Sequence, residues 1–405
     1  MTDRRAGRWL VAACGLAFAC PAAAQRVSDN AAASAEDAFG TSIGNERVGL
    51  YSGSDVRGFS PVTANNIRLE GLYFDRPAAF TDRLVQGNVV RVGLTAQMYL
   101  FPAPTGIVDY RIRPAGNDFV LSTMLGLNSW GGGRLELDGQ IPIVRDRLAL
   151  VTGAAVFVDE LAPGNQSFFG SYALAARWKP AAGVEVIPFW SRIDLYDREA
   201  TPLYTPAAGT LPPRVARRRF PGPEWANQRN IVQHYGGLAK ARLTSDWQLA
   251  AGLFRSTSDS LTGFAQNFVD IDGDGIGVRR ITSDPRQTLA GTSGEVRLSH
   301  DISDSPRRHS LHAALRGRHR NSRYGGGARL DLERAPIEAD LKGPAPAFAF
   351  GPQTDENVRQ MIAGIAYDGR WPGVGSIGLG LQRTWYRKQV DRPGSPLART
   401  DDEAW

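Results

Sequence analysis

The sequence predicts a mainly β protein in which a small N-terminal mixed β domain precedes antiparallel strands that cross a membrane. Three observations lead to this prediction. After the first 24 residues no segment has a sustained helical period, many segments alternate strictly between apolar and polar residues, and short connections alternate with long ones. Glycine and proline are frequent, with 45 and 25 residues, and only 42% of the chain is hydrophobic, which is typical of strands with one apolar face.

The first 24 residues have the features of a secretory signal peptide. Three arginines form a basic start: Arg4, Arg5 and Arg8. The apolar run Trp9–Ala19 is too short to span a bilayer, and Ala22-Ala23-Ala24 before Gln25 forms a cleavage site of small residues. Residues 1–24 are therefore predicted to direct export and to be removed.

Both cysteines, Cys14 and Cys20, lie in this leader, so the mature chain is expected to have no disulfide and no cysteine metal site. Three arginines and one aspartate leave with the leader, which lowers the net charge from +6 to about +4. Such a small charge, with a single basic cluster at Arg217–Arg219, does not predict nucleic-acid binding.

The segment from Val56 to Asp75 predicts two short strands joined by tight turns. Gly58 permits a backbone conformation that a side chain would resist, and Gly71 marks a turn into Tyr73-Phe74-Asp75. The apolar residues Ile67, Leu69 and Leu72 have the spacing of a buried strand and its return.

This segment resembles the plug domain of the TonB-dependent outer-membrane receptors. That family's plug carries an Ile/Val-Arg-Gly-Phe element, then an Asn, then an Arg-x-Asp/Glu-Gly strand pair, and a later Arg-containing strand. The matching residues are Arg57, Gly58, Phe59, Asn66, Arg68, Glu70, Gly71 and Arg91. The resemblance implies a plug over residues 25–113 and a partial barrel over 114–405. The family's Arg-Gly-Pro turn and a clear TonB box are missing.

The rest of the chain predicts antiparallel barrel strands. Leu135 and Leu137, for example, alternate with Glu136 and Asp138. Strands are expected near residues 118–127, 132–143, 147–158, 168–178, 184–194, 231–243, 246–257, 291–302, 308–320, 357–368 and 375–388.

Three connections between these strands are longer than soluble sheets usually tolerate. They are Leu195–Arg229, Ser258–Ala290 and Asn321–Asn357, and the pattern predicts that they lie outside the cell. Aromatic residues near strand ends indicate two girdles: Trp178, Trp247 and Trp371 at short turns, and Phe157, Phe168 and Phe254 toward the long connections. A water-soluble β-sandwich, the alternative, would place these rings in a core.

Eleven strands is an odd number, whereas bacterial single-chain barrels have an even number. The sequence also stops at Trp405, inside an expected outer loop. The simplest interpretation is a plug with the first part of a longer barrel; a complete small barrel is the alternative.

The sequence contains no defensible catalytic constellation, and neither an enzyme nor a cofactor is predicted. Asp270, Asp272 and Asp274 match the start of a calcium-binding EF-hand loop, but Ile281 replaces the glutamate that should complete it. The alternatives are a weak calcium site and a solvated turn. Arg217–Arg219 could bind lipopolysaccharide phosphates or an anionic ligand, or could be a solvated loop.

The resemblance implies an outer-membrane receptor that takes up a scarce ligand, most plausibly a ferric siderophore. Its implied partners are the TonB energy-transducing complex, the ligand, the outer membrane and lipopolysaccharide. Two alternatives remain: a passive outer-membrane channel or adhesin barrel, and a secreted soluble β-rich ligand-binding protein.

Overall fold

The computed structural model describes residues 32–37, 40–44, 64, 66–91, 106–127, 131–211, 214–304 and 306–405. These residues form two sheets, a small N-terminal one and a large one. No helix within these ranges is long and apolar enough to cross a membrane.

The small sheet is mixed, as predicted. Its strands are β1 (Ala32–Asp37), β2 (Gly40–Gly44), β3 (Ile67–Leu69), β4 (Leu72–Tyr73), β5 (Val85–Arg91) and β6 (Ile107–Ile112), in the spatial order β2-β1-β5-β6-β3-β4. β1 runs parallel to β5 and β3 parallel to β6, while the other pairs are antiparallel. Glu70 and Gly71 form the tight turn between β3 and β4 with φ values of 54° and 85°. We call this sheet with its connecting segments the small domain.

The large sheet has 15 strands. They are β7 (Val120–Leu127), β8 (Gly133–Val144), β9 (Leu148–Glu160), β10 (Gln166–Trp178), β11 (Val184–Glu199), β12 (Pro202–Pro206), β13 (Asn227–Arg242), β14 (Trp247–Ile271), β15 (Ile276–Asp284), β16 (Gln287–Asp304), β17 (Arg307–Tyr324), β18 (Ala328–Pro336), β19 (Thr354–Trp371), β20 (Gly375–Asp391) and β21 (Ala398–Ala404). Twelve of them form one antiparallel path, and β12, β15 and β18 attach beside the end of β14. The path is open, with β7 and β21 at its edges.

The strand count differs from the predicted eleven. β21 was expected to be loop, but it pairs with β20 in antiparallel register, for example Asp401 with Arg387. Its sequence lacks apolar alternation. Ion pairs to β20 hold this strand instead. Asp401 lies 2.6 Å from Arg387, and Glu403 lies 2.7 Å from Arg383. The path therefore contains an even number of strands.

The three long connections contain strands that the sequence did not predict. β14 continues to Ile271, far beyond the predicted end at residue 257, and pairs there with β12 and β15. β15 in turn pairs with β18. Phe268, Ile271 and Ile337 form a small core of their own, and the Tyr204 ring stacks on Phe268 with centroids 5.4 Å apart. These connections therefore build an outer sheet, because hairpin pairing satisfies backbone groups even where the sequence is polar.

The two faces of the large sheet differ as the alternation predicts. Leu253, Leu315 and Ile365 point outward and are 66%, 49% and 62% exposed, whereas Glu295 points inward and is buried. Trp178 and Trp247 remain exposed beside short turns. Phe254 is a correction, since it was expected in an aromatic girdle but is only 1% exposed. Its position shares the inward face with Ser256, so it packs against the small domain.

Candidate functional site

The small domain packs against the inward face of the large sheet, which we call the inner wall. The centre of this contact is apolar. Phe74 of the small domain lies 4.8 Å from Phe80 and 5.3 Å from Phe254 between ring centroids, and Phe254 lies 6.0 Å from Phe189 on the wall. Ile187, Leu238 and small residues of β10 complete one continuous buried core. The domain and the wall therefore share a core.

Glu70, at the β3–β4 turn, connects the small domain to two cations of the wall. Its Oε1 accepts hydrogen bonds from the Ile112 backbone N–H at 2.9 Å and from Arg177 Nη2 at 3.4 Å. Its Oε2 lies 3.3 Å from Lys240 Nζ. Arg177 also donates to Glu185 Oε1 at 3.1 Å. The buried carboxylate thus has charged partners on β10 and β13, as a buried charge requires.

A second contact joins β4 and the residues after it to β16 and β17. The Tyr73 backbone N–H donates to Glu295 Oε2 at 2.9 Å, and the Asp75 N–H donates to Ser293 Oγ at 2.9 Å. The fully buried Asp75 carboxylate accepts a bidentate pair of hydrogen bonds from Arg320. These bonds fix backbone and side chain together, so this edge of the domain has a defined register on the wall.

The third contact has the opposite polarity, because the cation belongs to the small domain. Arg83 binds Glu136 at 2.9 Å and also pairs with Asp138, both on β8. Asp82 beside it lies 3.1 Å from the same guanidinium. Burial opposes ionisation of Asp82, but the hydrogen bond and charge of Arg83 outweigh it and lower the pKa of Asp82. Both partners therefore stay charged at neutral pH.

His234 of β13 forms a neutral polar contact beneath the apolar centre. Its Nε2 lies 3.0 Å from the Ala79 carbonyl oxygen, and its Nδ1 lies 2.6 Å from Ser256 Oγ. The carbonyl can only accept, so Nε2 carries the proton and Ser256 donates to Nδ1. The ring also lies 4.8 Å from Phe80. Nothing in the local sequence pointed to His234, since its role depends on a partner 155 residues away.

The described residues of the plug motif lie on β3, on the turn after it and at the end of β5, with β6 between β3 and β5. Asn66 accepts a backbone hydrogen bond from Val108 at 3.1 Å, and the Gly71 N–H donates to the buried Asp109 carboxylate at 2.8 Å. Arg68 is buried with its guanidinium 5.4 Å from the centre of the Tyr73 ring. Arg91 lies at the end of β5, in register with Ile107, which precedes Val108 on β6. Arg57, Gly58 and Phe59 lie outside the described residues.

Asp270, Asp272 and Asp274, for which a weak calcium site and a solvated turn were the alternatives, do not converge on one centre. Asp272 Oδ1 accepts from the backbone N–H groups of Asp274 and Ile276 at 3.1 and 3.0 Å, and its Oδ2 lies 2.8 Å from Arg334. These hydrogen bonds, that from Ile276 foremost, lower the pKa of Asp272. Within the described ranges no group of three His, Cys, Asp or Glu residues could hold a metal ion. In this turn Asp272 is therefore paired with the guanidinium of Arg334.

An aromatic cluster lies among the outer connections. The Phe264 ring lies 5.7 Å from Trp225 and 5.8 Å from Phe348, and Phe348 lies 6.2 Å from Phe350. Phe350 is 46% exposed, so the cluster is open to solvent on one side. It offers flat apolar surfaces to a ligand that approaches from the outer end.

No family model matches this chain, and no curated protein matches it. Solved structures do match it. The ferric preacinetobactin receptor of Acinetobacter baumannii has a TM-score of 0.65 at 13% identity, over 86% of this chain and 54% of that one. The pyoverdine outer membrane receptor of Pseudomonas aeruginosa has a TM-score of 0.63 at 15% identity, over 91% and 54%.

The unliganded ferric citrate transporter gives a TM-score of 0.60 at 13% identity, over 86% of this chain and 52% of that one. The chain thus spans about half the length of the structures it matches. At this identity the likeness concerns the fold, and these neighbours are transport receptors rather than enzymes. With a small mixed β domain seated on the inner wall of an antiparallel sheet, the chain has the fold of the TonB-dependent siderophore receptors.

Proposed function

We propose that this chain belongs to an outer-membrane receptor that takes up a ferric siderophore or a similar scarce ligand, with energy from the TonB complex. The observation that carries the proposal is the small domain held on the inner wall by a shared core and three charged contacts. A domain in this position closes the lumen, and a passive channel or an adhesin has no need of one. The solvent-exposed apolar outward face argues against a secreted soluble protein.

The proposal assigns a role to each part of the chain. Residues 1–24 direct export to the outer membrane, residues 25–113 form the plug and residues 114–405 form part of the barrel wall. The plug motif holds the plug on the wall through Glu70, while the aromatic cluster around Phe264 offers the outer surface on which a flat or aromatic ligand can stack.

The charged contacts suit a domain that must move. Ion pairs between a plug and its wall keep their partners in register, but water can replace them once a gap opens. A pull on the N-terminal side of the small domain would separate Glu70 from Arg177 and Lys240 as a unit, because all three meet at one turn. A ligand bound at the outer end could then pass along the exposed wall.

Transport of a radiolabelled ferric siderophore by the full-length protein tests this function. Cells that express it should accumulate the label, and cells that lack TonB should bind the label at the surface without accumulating it. Accumulation at the same rate without TonB would identify a passive channel. Absence of heat-modifiable migration after detergent extraction would exclude a barrel altogether.

A further inference from the structure

Arg68 of β3 is a buried cation that no carboxylate of the chain neutralises. Its side chain is 3% exposed, and its Nη1 has no hydrogen-bond partner. No Asp or Glu in the described ranges pairs with it, and its guanidinium carbon lies 5.4 Å from the centre of the Tyr73 ring. A buried ionised group without a partner is costly, so Arg68 requires a negative charge from elsewhere.

The other buried arginines in the described ranges each donate at least one side-chain hydrogen bond. Their acceptors are the Asp138 carboxylate for Arg83, the Tyr110 hydroxyl for Arg76, and the main-chain carbonyls of Asp82 and Pro221 for Arg113 and Arg279. Buried polar groups are bonded in this way as a rule. At Arg68 the fold instead places a buried donor where the chain supplies no acceptor.

The wall places a second cation beside the same ring. The guanidinium carbon of Arg316, on β17, also lies 5.4 Å from the centre of the Tyr73 ring, so the two carbons are at most twice that distance apart. Arg316 points inward, because its neighbour Leu315 points outward. One positive charge of the small domain therefore meets one of the wall, and each makes burial of the other more costly. We call Arg68 and Arg316 the arginine pair.

Two carboxylates near the arginine pair are bound by other donors. Glu295 Oε1 lies 3.2 Å from Arg297 Nε, and its Oε2 accepts from the Tyr73 backbone N–H at 2.9 Å. The Asp75 carboxylate accepts two hydrogen bonds from Arg320. Neither carboxylate therefore neutralises Arg68.

The charge of this part of the interface is unbalanced. Among the described residues it contains more arginines than carboxylates: Arg68, Arg297, Arg316, Arg318 and Arg320 with Asp75 and Glu295. The contact of Arg83 with β8 is different, since Glu136, Asp138 and Asp82 surround that cation. The excess of positive charge is thus a property of the side that faces β16 and β17.

We propose that an oxyanion, either a carboxylate or a phosphate group, binds between Arg68 and Arg316 and supplies the missing negative charge. Guanidinium groups bind both kinds of anion through paired hydrogen bonds, and one oxyanion has enough acceptor positions for two of them. The anion holds the small domain on the wall, because it contacts β3 on one side and β17 on the other. This site requires neither transport nor TonB, so it goes beyond the proposed function.

The basic cluster predicted from sequence, Arg217–Arg219, is a poorer anion site. Arg218 lies 3.2 Å from Glu160, and Arg219 lies 3.2 Å from Glu338, so two of its three charges are already paired. Both side chains are also about half exposed, and water can solvate them. Arg68 has neither of these alternatives.

The test measures phosphate binding by the full-length protein, refolded in detergent and kept at constant ionic strength with chloride. Phosphorus nuclear magnetic resonance reports binding through line broadening, and limited proteolysis reports how firmly the small domain is held. The wild type should bind phosphate saturably. At ten times the dissociation constant, digestion of the small domain should slow by about tenfold, because phosphate binds the seated state and the protease cleaves the open one.

Three variants separate this site from a general salt effect. Arg68→Gln should abolish both the line broadening and the protection. Arg359→Gln is the matched control and should behave like the wild type, because Arg359 is exposed on the outward face, two positions from Met361. Arg316→Glu offers Arg68 a carboxylate directly, so its small domain should resist digestion without phosphate and gain nothing from it. Heat-modifiable gel migration shows that each variant has folded.

Competition identifies the source of the oxyanion. If a carboxylate of an iron ligand occupies the site, a ferric tricarboxylate should displace phosphate from the wild type and an uncharged ferric trihydroxamate should not. Phosphate that neither complex displaces would assign the site to the free anion.

Two results would overturn the inference. One is equal phosphate binding by the wild type and a folded Arg68→Gln protein, since protection would then come from exclusion of phosphate from the whole surface. The other is faster digestion of Arg316→Glu than of the wild type in phosphate-free buffer. Both would leave the receptor proposal intact, because that proposal is tested by uptake of the label.

Discussion

The small domain, which we propose to be a plug, meets the inner wall in an interface whose centre and margin are built in different ways. The centre is apolar, with Phe74 against Phe254, and the margin is ionic, with Glu70, Asp75 and Arg83 bound to partners on the wall. Apolar contact is strong but non-directional, whereas buried ion pairs are specific but add little net stability. The centre should therefore hold the plug in place, and the margin should decide in which register it sits.

The largest expected effect comes from the centre. Phe254→Ala removes a buried ring between Phe74 and Phe189, and we expect a loss of about 3–5 kcal/mol in the stability of the plug on the wall. Limited proteolysis of the small domain and ion leakage through bilayers should both increase. Leu253→Ala is the matched control, because the neighbouring side chain points outward and should change neither measurement. Equal effects of the two variants would contradict the assignment of faces.

A substitution at the ionic margin should reduce the stability of the small domain on the wall by less than one at the apolar centre. Glu70→Gln keeps the shape of the side chain but removes the carboxylate that pairs with Lys240 and leaves Arg177 with Glu185 alone, which we expect to cost about 2–3 kcal/mol. Proteolysis should again increase, but less than for Phe254→Ala. Glu160→Gln, at a more exposed pair with Arg218, should cost within about 0.5 kcal/mol. A Glu70→Gln protein as resistant as the wild type would show that the apolar centre alone holds the plug.

The stability of the small domain on the wall should also depend on pH, through Tyr73 at the margin. Burial raises the pKa of Tyr73 above its usual 10.0, although Arg318 and Arg316 partly oppose this. A raised folded-state pKa gives stability that is complete below about pH 10 and is lost as the pH rises through the folded value. Resistance of the plug to proteolysis should thus fall above about pH 10, and Tyr73→Phe should reduce that fall. An identical alkaline fall in wild type and variant would assign it to other groups.

The sequence predicts the strands well where one face is apolar and fails where other forces decide. Alternation located the strands that carry Leu253 and Leu315, but not β21, whose outward residues are charged and paired across strands. The turn at Gly71 was predicted from the glycine itself, and Glu70 was singled out through the family resemblance. Its partners Arg177 and Lys240 were not, because sequence patterns carry no signal for pairs 107 and 170 residues apart.

The misplaced Phe254 shows the same limit. Its position near a strand end suggested an aromatic girdle, yet the pairing register places it inward, and register depends on the neighbouring strands as well as on the local sequence. The long connections were assigned as loops for a related reason. Their strands pair with each other across gaps in sequence, as β15 does with β18, and that pairing is stabilised by contacts such as Tyr204 on Phe268.

The smallest expected effect lies farthest from the interface and tests the orientation of the whole wall. The mature chain is predicted to have no cysteine, so Gly273→Cys introduces a single thiol. A Cβ at Gly273 meets nothing within 4 Å, so stability should change by less than about 0.5 kcal/mol. A membrane-impermeant maleimide should label it on intact cells, because the turn after β14 is expected outside. Ala182→Cys, in the short turn after β10, is the control and should react only after the outer membrane is permeabilised. The reverse pattern would invert the strands and place the aromatic cluster around Phe264 on the periplasmic side, where an external ligand could not reach it first.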